Sequence, residues 1–202
     1  MPGYLWTESG AGRWSRLAEA AQLRTLAANA AVGVLAGILI AHVRLHLGLP
    51  GHKALLWMTP IVVARLLCRH PAGATAGASA AALTSIALGG HLAGGILFVP
   101  LVAVAGAVLD VCVGFARRVG LSPWALVPLL AAAGAGANVV CGIKRLLLPQ
   151  WNYHVLLGLS GTWALLTAYA LCGLAAGLTG AVIGSSIDRA CARRQAGDGS
   201  GG

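Results

Sequence analysis

Apolar residues gather into six long runs, at roughly 26–43, 54–69, 72–90, 93–116, 123–143 and 155–187, and most polar residues are confined to the joints between them. Runs of this length read as helices, and about 20 helical residues cross the hydrocarbon core of a bilayer. The pattern predicts an all-α integral membrane protein, a compact bundle of six transmembrane helices spanning 26–190. The second run is short and carries Pro60, which predicts a tilted, kinked or partly re-entrant segment. The last is long enough to leave the membrane at its C-terminal end. Residues 1–25 are polar, hold Trp6, Trp14, Arg13, Arg16 and Arg24, and have no apolar signal-peptide core. They read as a cytoplasmic segment with room for a short interfacial helix. Residues 191–202, ending Gly-Asp-Gly-Ser-Gly-Gly, read as a flexible cytoplasmic tail.

Composition sharpens this picture. Only 9% of residues are charged and mean hydropathy is +0.81, whereas a soluble domain commonly carries about a quarter charged residues. The surface must therefore face lipid. The net charge of +9 does not point to nucleic acid, because the basic residues stand at the ends of apolar runs, where they set topology. Arg13, Arg16, Arg24, Arg65, Arg69, Arg117, Arg118, Arg189, Arg193 and Arg194 fall on one side of a six-span layout; Arg44, Lys53, Lys144 and Arg145 fall on the other. This asymmetry predicts both termini inside, in the inner (plasma) membrane. Cys68, Cys112, Cys141, Cys172 and Cys191 form no C-x-x-C pair and read as packing residues, with no metal site, disulfide framework or cofactor implied.

Small residues recur every fourth position at Gly33, Gly37 and Ala41, at Gly73, Gly77 and Ala81, and at Ala176, Gly180 and Gly184. Helices in lipid associate largely by close backbone approach, and such rows allow it.

The candidate chemistry lies in the outward joints. Arg44, His46, His52 and Lys53 precede Trp57; His91 follows two glycines; Lys144 and Arg145 precede Trp151, Asn152 and His154. Taken singly, the aromatics read as interface anchors and the cations as snorkelling side chains. Taken together, of one sign and on one side, they predict a site for a small planar or anionic solute, held by charge-assisted hydrogen bonds and stacking. Asn138, in the outer part of the fifth run, is within reach of that site. Trp163 and Tyr169 either line its floor or are core aromatics.

Asp110 lies deeper, about 10 Å along the helix from Arg117. A carboxylate there is costly unless paired or protonated. Arg65 is its expected ion-pair partner, with proton coupling as the alternative. The motif Gly158-Leu-Ser160-Gly161 resembles the serine motif of rhomboid intramembrane proteases, but no histidine follows it to activate the serine. Outward histidines and inward Asp110 also lie too far apart for one proton relay, so the chain is not expected to be an enzyme.

The layout resembles the substrate-binding S components of energy-coupling factor transporters, which capture vitamins and related micronutrients. The resemblance rests on six runs in about 200 residues, Ala27-x-x-x-Ala31, the entry His70-Pro71-Ala-Gly73-Ala-Thr-Ala-Gly77, and the glycine-rich last run into Ile187-Asp188-Arg189. It implies that Ala27 and Ala31 dock on a transmembrane coupling subunit, and that a solute binds toward the outer face. No Gly-x-x-x-x-Gly-Lys loop is present, so energy would come from partner ABC-type ATPases. A non-catalytic membrane scaffold or assembly protein is the alternative, and a membrane-embedded hydrolase a third.

Overall fold

The computed structural model describes residues 7–43, 49–68, 70–90, 95–147 and 161–198, and every regular element among them is helical. The helices are α1 (Thr7–His42), α2 (Ala54–Leu67), α3 (Gly73–Ala87), α4 (Val99–Val119), α5 (Pro123–Leu147) and α6 (Gly161–Asp198), with a short 3-10 helix, Ile96–Phe98, leading into α4. Four are long and apolar enough to cross a membrane, over Glu19–His42, Val99–Val119, Pro123–Leu146 and Gly161–Cys191. The 14 residues of α2 and 15 of α3 span only about 21–23 Å at helical rise, short of a hydrocarbon core of about 30 Å. The expected helices are therefore all present, while two of the six are shorter than the length that crosses a membrane unaided.

Around the bundle the helices neighbour one another in the order α1, α3, α4, α5, α6, α2 and back to α1, with α2 also touching α3 and α4. This gives α2 a buried surface of Trp57, Met58, Ile61, Val62 and Arg65. Pro60 lies within α2, which continues through it as one helix.

The rows of small residues become helix contacts. A Cβ on Gly33 would stand 2.0 Å from the Gly77 carbonyl oxygen, and one on Gly37 would stand 2.6 Å from that of Ala81. Thus the row on α1 and the row on α3 pack on each other. Gly180 and Gly184 meet Val62 and Leu66 of α2. A third close approach, between Gly134 of α5 and Gly173 and Gly177 of α6, brings ideal Cβ positions within 2.3–2.4 Å of facing carbonyls. Fourfold spacing, Gly134 to Asn138 to Gly142 against Gly173 to Gly177, was its signal in the sequence.

Three expectations need correction. Residues 7–25 of the polar segment and the first apolar run are not separate helices, because α1 is unbroken over 36 residues; the alanine-rich stretch around 18–31 favours continuation. Helix α6 runs on to Asp198 instead of giving way to a tail at 191, since Ala190 to Ala196 contains no helix breaker. Lys144 and Arg145 are not loop residues but the last turn of α5, which ends at Leu147, two residues before Pro149.

Candidate functional site

Two clusters of polar residues sit at opposite ends of the bundle. The first is at the terminal end, where α1 begins and α6 finishes. Helix α3 starts there after Ala72, whose side chain offers no cap. Asp110 of α4 supplies the cap instead, accepting from the Ala74 and Thr75 backbone N–H groups at 3.0 and 2.8 Å and from the Thr75 hydroxyl at 2.8 Å. An anion is favoured at a helix N-terminus, where N–H groups are otherwise unpaired.

Arg65 of α2 completes this arrangement. Its Nε donates to Asp110, while Nη1 and Nη2 reach the Cys68 and Pro71 carbonyls at 3.0 and 3.5 Å. The pair is almost wholly buried, at 2% and 7% side-chain exposure. Arg117, farther along α4, donates to the Leu66 and Cys68 carbonyls at 2.9 and 3.1 Å. One face of α4 therefore fixes both the end of α2 and the start of α3. The ion pair expected from the sequence is present; the cap, and Thr75 within it, were not anticipated. Beside it lies an open cleft of about 600 Å³ lined by Leu66, Leu67, Arg117 and Asp188.

The second cluster is at the opposite end, on the α1–α2 turn and the last turns of α5. Gly51 adopts φ +81° in this turn, and a Cβ there would lie 2.9 Å from the Asn138 amide nitrogen and from the Tyr169 ring. Asn138 donates to the Gly51 carbonyl at 3.3 Å and to the Tyr169 carbonyl at 2.8 Å, joining the turn, α5 and α6. Cys172 adds a weak contact to the Pro50 carbonyl at 3.7 Å. Tyr169 is buried, its ring against Gly142.

On this frame stand Lys53, Lys144 and Arg145, close enough to act on one another electrostatically. Partial burial first, and the Arg145 charge second, lower the pKa of Lys53 from the ordinary lysine value. The five carboxylates of the chain, Glu8, Glu19, Asp110, Asp188 and Asp198, all belong to segments of the terminal end. His52 shares the turn with Lys53. Its Nδ1 donates to the Leu49 carbonyl, and its buried Nε2 has no hydrogen-bond partner among the described residues.

The structure thus brings together Lys53, Lys144, Arg145, His52 and Asn138. Asn138 holds the frame from beneath, with both described bonds made to the protein. Trp57 is a core residue with 1% exposure. Trp163 is 71% exposed, so it faces the surroundings of the bundle and not a floor beneath the cations. Ala27 and Ala31 are exposed on the outer face of α1. Arg44, His46, His91, Trp151, Asn152 and His154 lie outside the described residues. Among the described residues no three His, Cys, Asp or Glu side chains come together around a metal-sized space. Compared with family models, characterised proteins and solved structures, the chain matches none.

Proposed function

We propose that this protein is the substrate-capture subunit of a membrane uptake system, binding a small anionic or planar micronutrient at the end of the bundle that carries Lys53, Lys144 and Arg145. The observation that carries this reading is the gathering of these three cations on a frame locked by Asn138, with the carboxylates of the chain at the other end. Like charges collected in this way repel, and an anionic solute relieves the repulsion through charge-assisted hydrogen bonds. In this reading the chain crosses the plasma membrane six times with both termini in the cytoplasm, and the cation cluster faces outward.

Energy then comes from partner ATPases through a coupling subunit. The exposed Ala27 and Ala31 support docking of that subunit on α1, since small residues admit close helix approach. The solute is captured outside and released inward while the complex is assembled.

The test is to purify the protein, identify any small molecule that accompanies it, and titrate a vitamin and metabolite panel by tryptophan fluorescence. We expect an anionic ligand whose affinity falls at least about tenfold in Lys53→Met or Arg145→Met, the scale of one lost charge-assisted bond. A protein that carries nothing and answers to no member of the panel sinks the capture reading; a membrane scaffold then stands in its place.

A further inference from the structure

At the terminal end, the surface between α5 and α6 carries a feature that solute capture does not use. Arg189 of α6 lies over the Trp124 ring at the start of α5, its Cζ 5.2 Å from the ring centroid. Its Nε is occupied by the Ser185 carbonyl at 3.0 Å. The Nη groups have no protein partner among the described residues and remain available as donors. Trp124 is 75% exposed. One turn further along α6, Arg193 lies on the same helical face, about 6 Å away at helical rise, and is also exposed.

The nearest carboxylate in sequence does not neutralise this pair. Asp188 lines the cleft with Leu66, Leu67 and Arg117, on the α2 and α4 side of α6. The Trp124–Arg189–Arg193 patch is therefore a group of donors of one sign, set where the apolar spans of α5 and α6 end.

Beneath it the surface is apolar and shallow. Val182 and Ser186 continue the exposed lane of α6 below Arg189. On α5, Pro128, Ala132 and Gly136 follow Trp124 every fourth residue and are exposed, and nothing stands within 4 Å of a Cβ placed on Gly136. The surface thus combines a cationic and aromatic head with a smooth apolar lane beneath it, the two parts of a phospholipid in the matching order. Trp and Arg at the end of an apolar span sit at the depth of the headgroups, and phosphate oxygens accept from guanidinium in paired, charge-assisted bonds.

We infer that Trp124, Arg189 and Arg193 form a binding site for one anionic phospholipid, its phosphate held by the two arginines and its acyl chain lying along Pro128, Ala132 and Gly136. The site commits to a lipid because the charged, aromatic head is continuous with an exposed apolar lane, the order of headgroup and acyl chain, whereas an acidic protein segment would complement the head alone. It is independent of the solute site, which lies at the other end of the bundle.

The experiment is native mass spectrometry of the full chain released from neutral detergent after exposure to phosphatidylglycerol, phosphatidylcholine or inorganic phosphate. The wild type is expected to retain one phosphatidylglycerol and to discriminate at least about tenfold against phosphatidylcholine. Arg189→Gln with Arg193→Gln should lose that discrimination, and Trp124→Leu should weaken it. Arg194→Gln removes the same charge from a neighbouring face and should leave it intact. All four positions are exposed, and an unchanged melting midpoint confirms that each variant folds. Equal retention by the double variant, an equal loss in Arg194→Gln, or full displacement by inorganic phosphate would each overturn the assignment.

Discussion

The two ends of the bundle handle charge in opposite ways. At the terminal end Arg65 and Asp110 are buried against each other, and their other hydrogen bonds go to the backbone where α2 ends and α3 begins and to the Thr75 hydroxyl. At the opposite end Lys53, Lys144 and Arg145 share one sign, and the neutral amide of Asn138 holds the backbone beneath them. The contrast separates charge that builds the fold from charge that the proposed solute would engage. A buried pair satisfied by helix termini has its function completed inside the protein. Like charges gathered at the mouth of a bundle repel one another, and in the proposed reading a bound anion offsets that repulsion.

The largest effect should come from breaking the terminal end. Asp110→Ala leaves Arg65 buried without its counter-ion and the first turn of α3 without its cap. A loss of about 3–5 kcal/mol is expected for breaking one partner of such a pair, seen as a lower melting midpoint in detergent. Combining Asp110→Leu with Arg65→Met should recover part of that loss, because no charge is then stranded. If the double variant is no more stable than Asp110→Ala, the cap on α3 matters more than the ion pair.

A smaller effect is expected from the frame at the other end. Asn138→Ala removes two bonds and leaves the Gly51 and Tyr169 carbonyls to find other donors, for a loss of about 1–3 kcal/mol. Gly51→Ala should cost about 1–2 kcal/mol from the left-handed backbone alone, and more from the 2.9 Å approach to Asn138 and Tyr169. Both variants should also weaken ligand binding, because the turn that carries Lys53 is no longer fixed. Unchanged affinity in a destabilised Asn138→Ala protein would separate the frame from the site.

How far these two ends could be read in advance follows from the range of their contacts. The Arg65–Asp110 pair was legible because two lone charges in apolar runs have few possible partners. Its role as a cap was not, because Ala72 carries no capping side chain and the anion arrives from α4, a contact that local sequence cannot express. Fourfold spacing marked Gly33, Gly37, Gly77 and Ala81 as packing residues, but that Gly33 meets Gly77 and Gly37 meets Ala81 is a long-range contact that spacing does not specify. Asn138 was read as within reach of a ligand and Tyr169 as either cavity floor or core aromatic, and both are turned into the bundle: an aromatic or amide on an apolar helix can point either way, and only the close approach at Gly51, Gly142 and Gly173 decides it. The extents of α5 and α6 were missed for another reason. A change from apolar to charged residues ends a hydrophobic run without ending a helix.

A charge exchange sharpens the comparison further. Lys53→Glu would place a carboxylate beside Arg145 and give this end an ion pair of its own. For a partly exposed pair the gain in stability is about 0–1 kcal/mol, so the melting midpoint should stay level or rise slightly. Binding of an anionic ligand should be abolished in the same protein. A variant that melts higher and still binds would show that the cations do not serve capture.

The smallest effect is the most specific, because it depends on the ammonium of Lys53 itself. Partial burial and then the Arg145 charge hold its pKa below the ordinary 10.5, so the folded protein releases this proton at lower pH than the unfolded chain. Below the folded value Lys53 is charged in both states, and its unfavourable contribution is fully present. Between that value and about 10.5 the unfolded state binds more protons, and stability rises with pH. The Lys53→Met protein lacks this rise, so its advantage over the wild type should shrink as melts are recorded from pH 8 toward 10.5. Affinity for an anionic ligand should move the other way over the same window, falling in the wild type as the charge is lost. A lysine whose ammonium reaches freely into a headgroup layer would have no reason to titrate early, and would show neither trend below its ordinary value. Opposite slopes for stability and binding are therefore the signature of a cation held among like charges for the sake of a ligand.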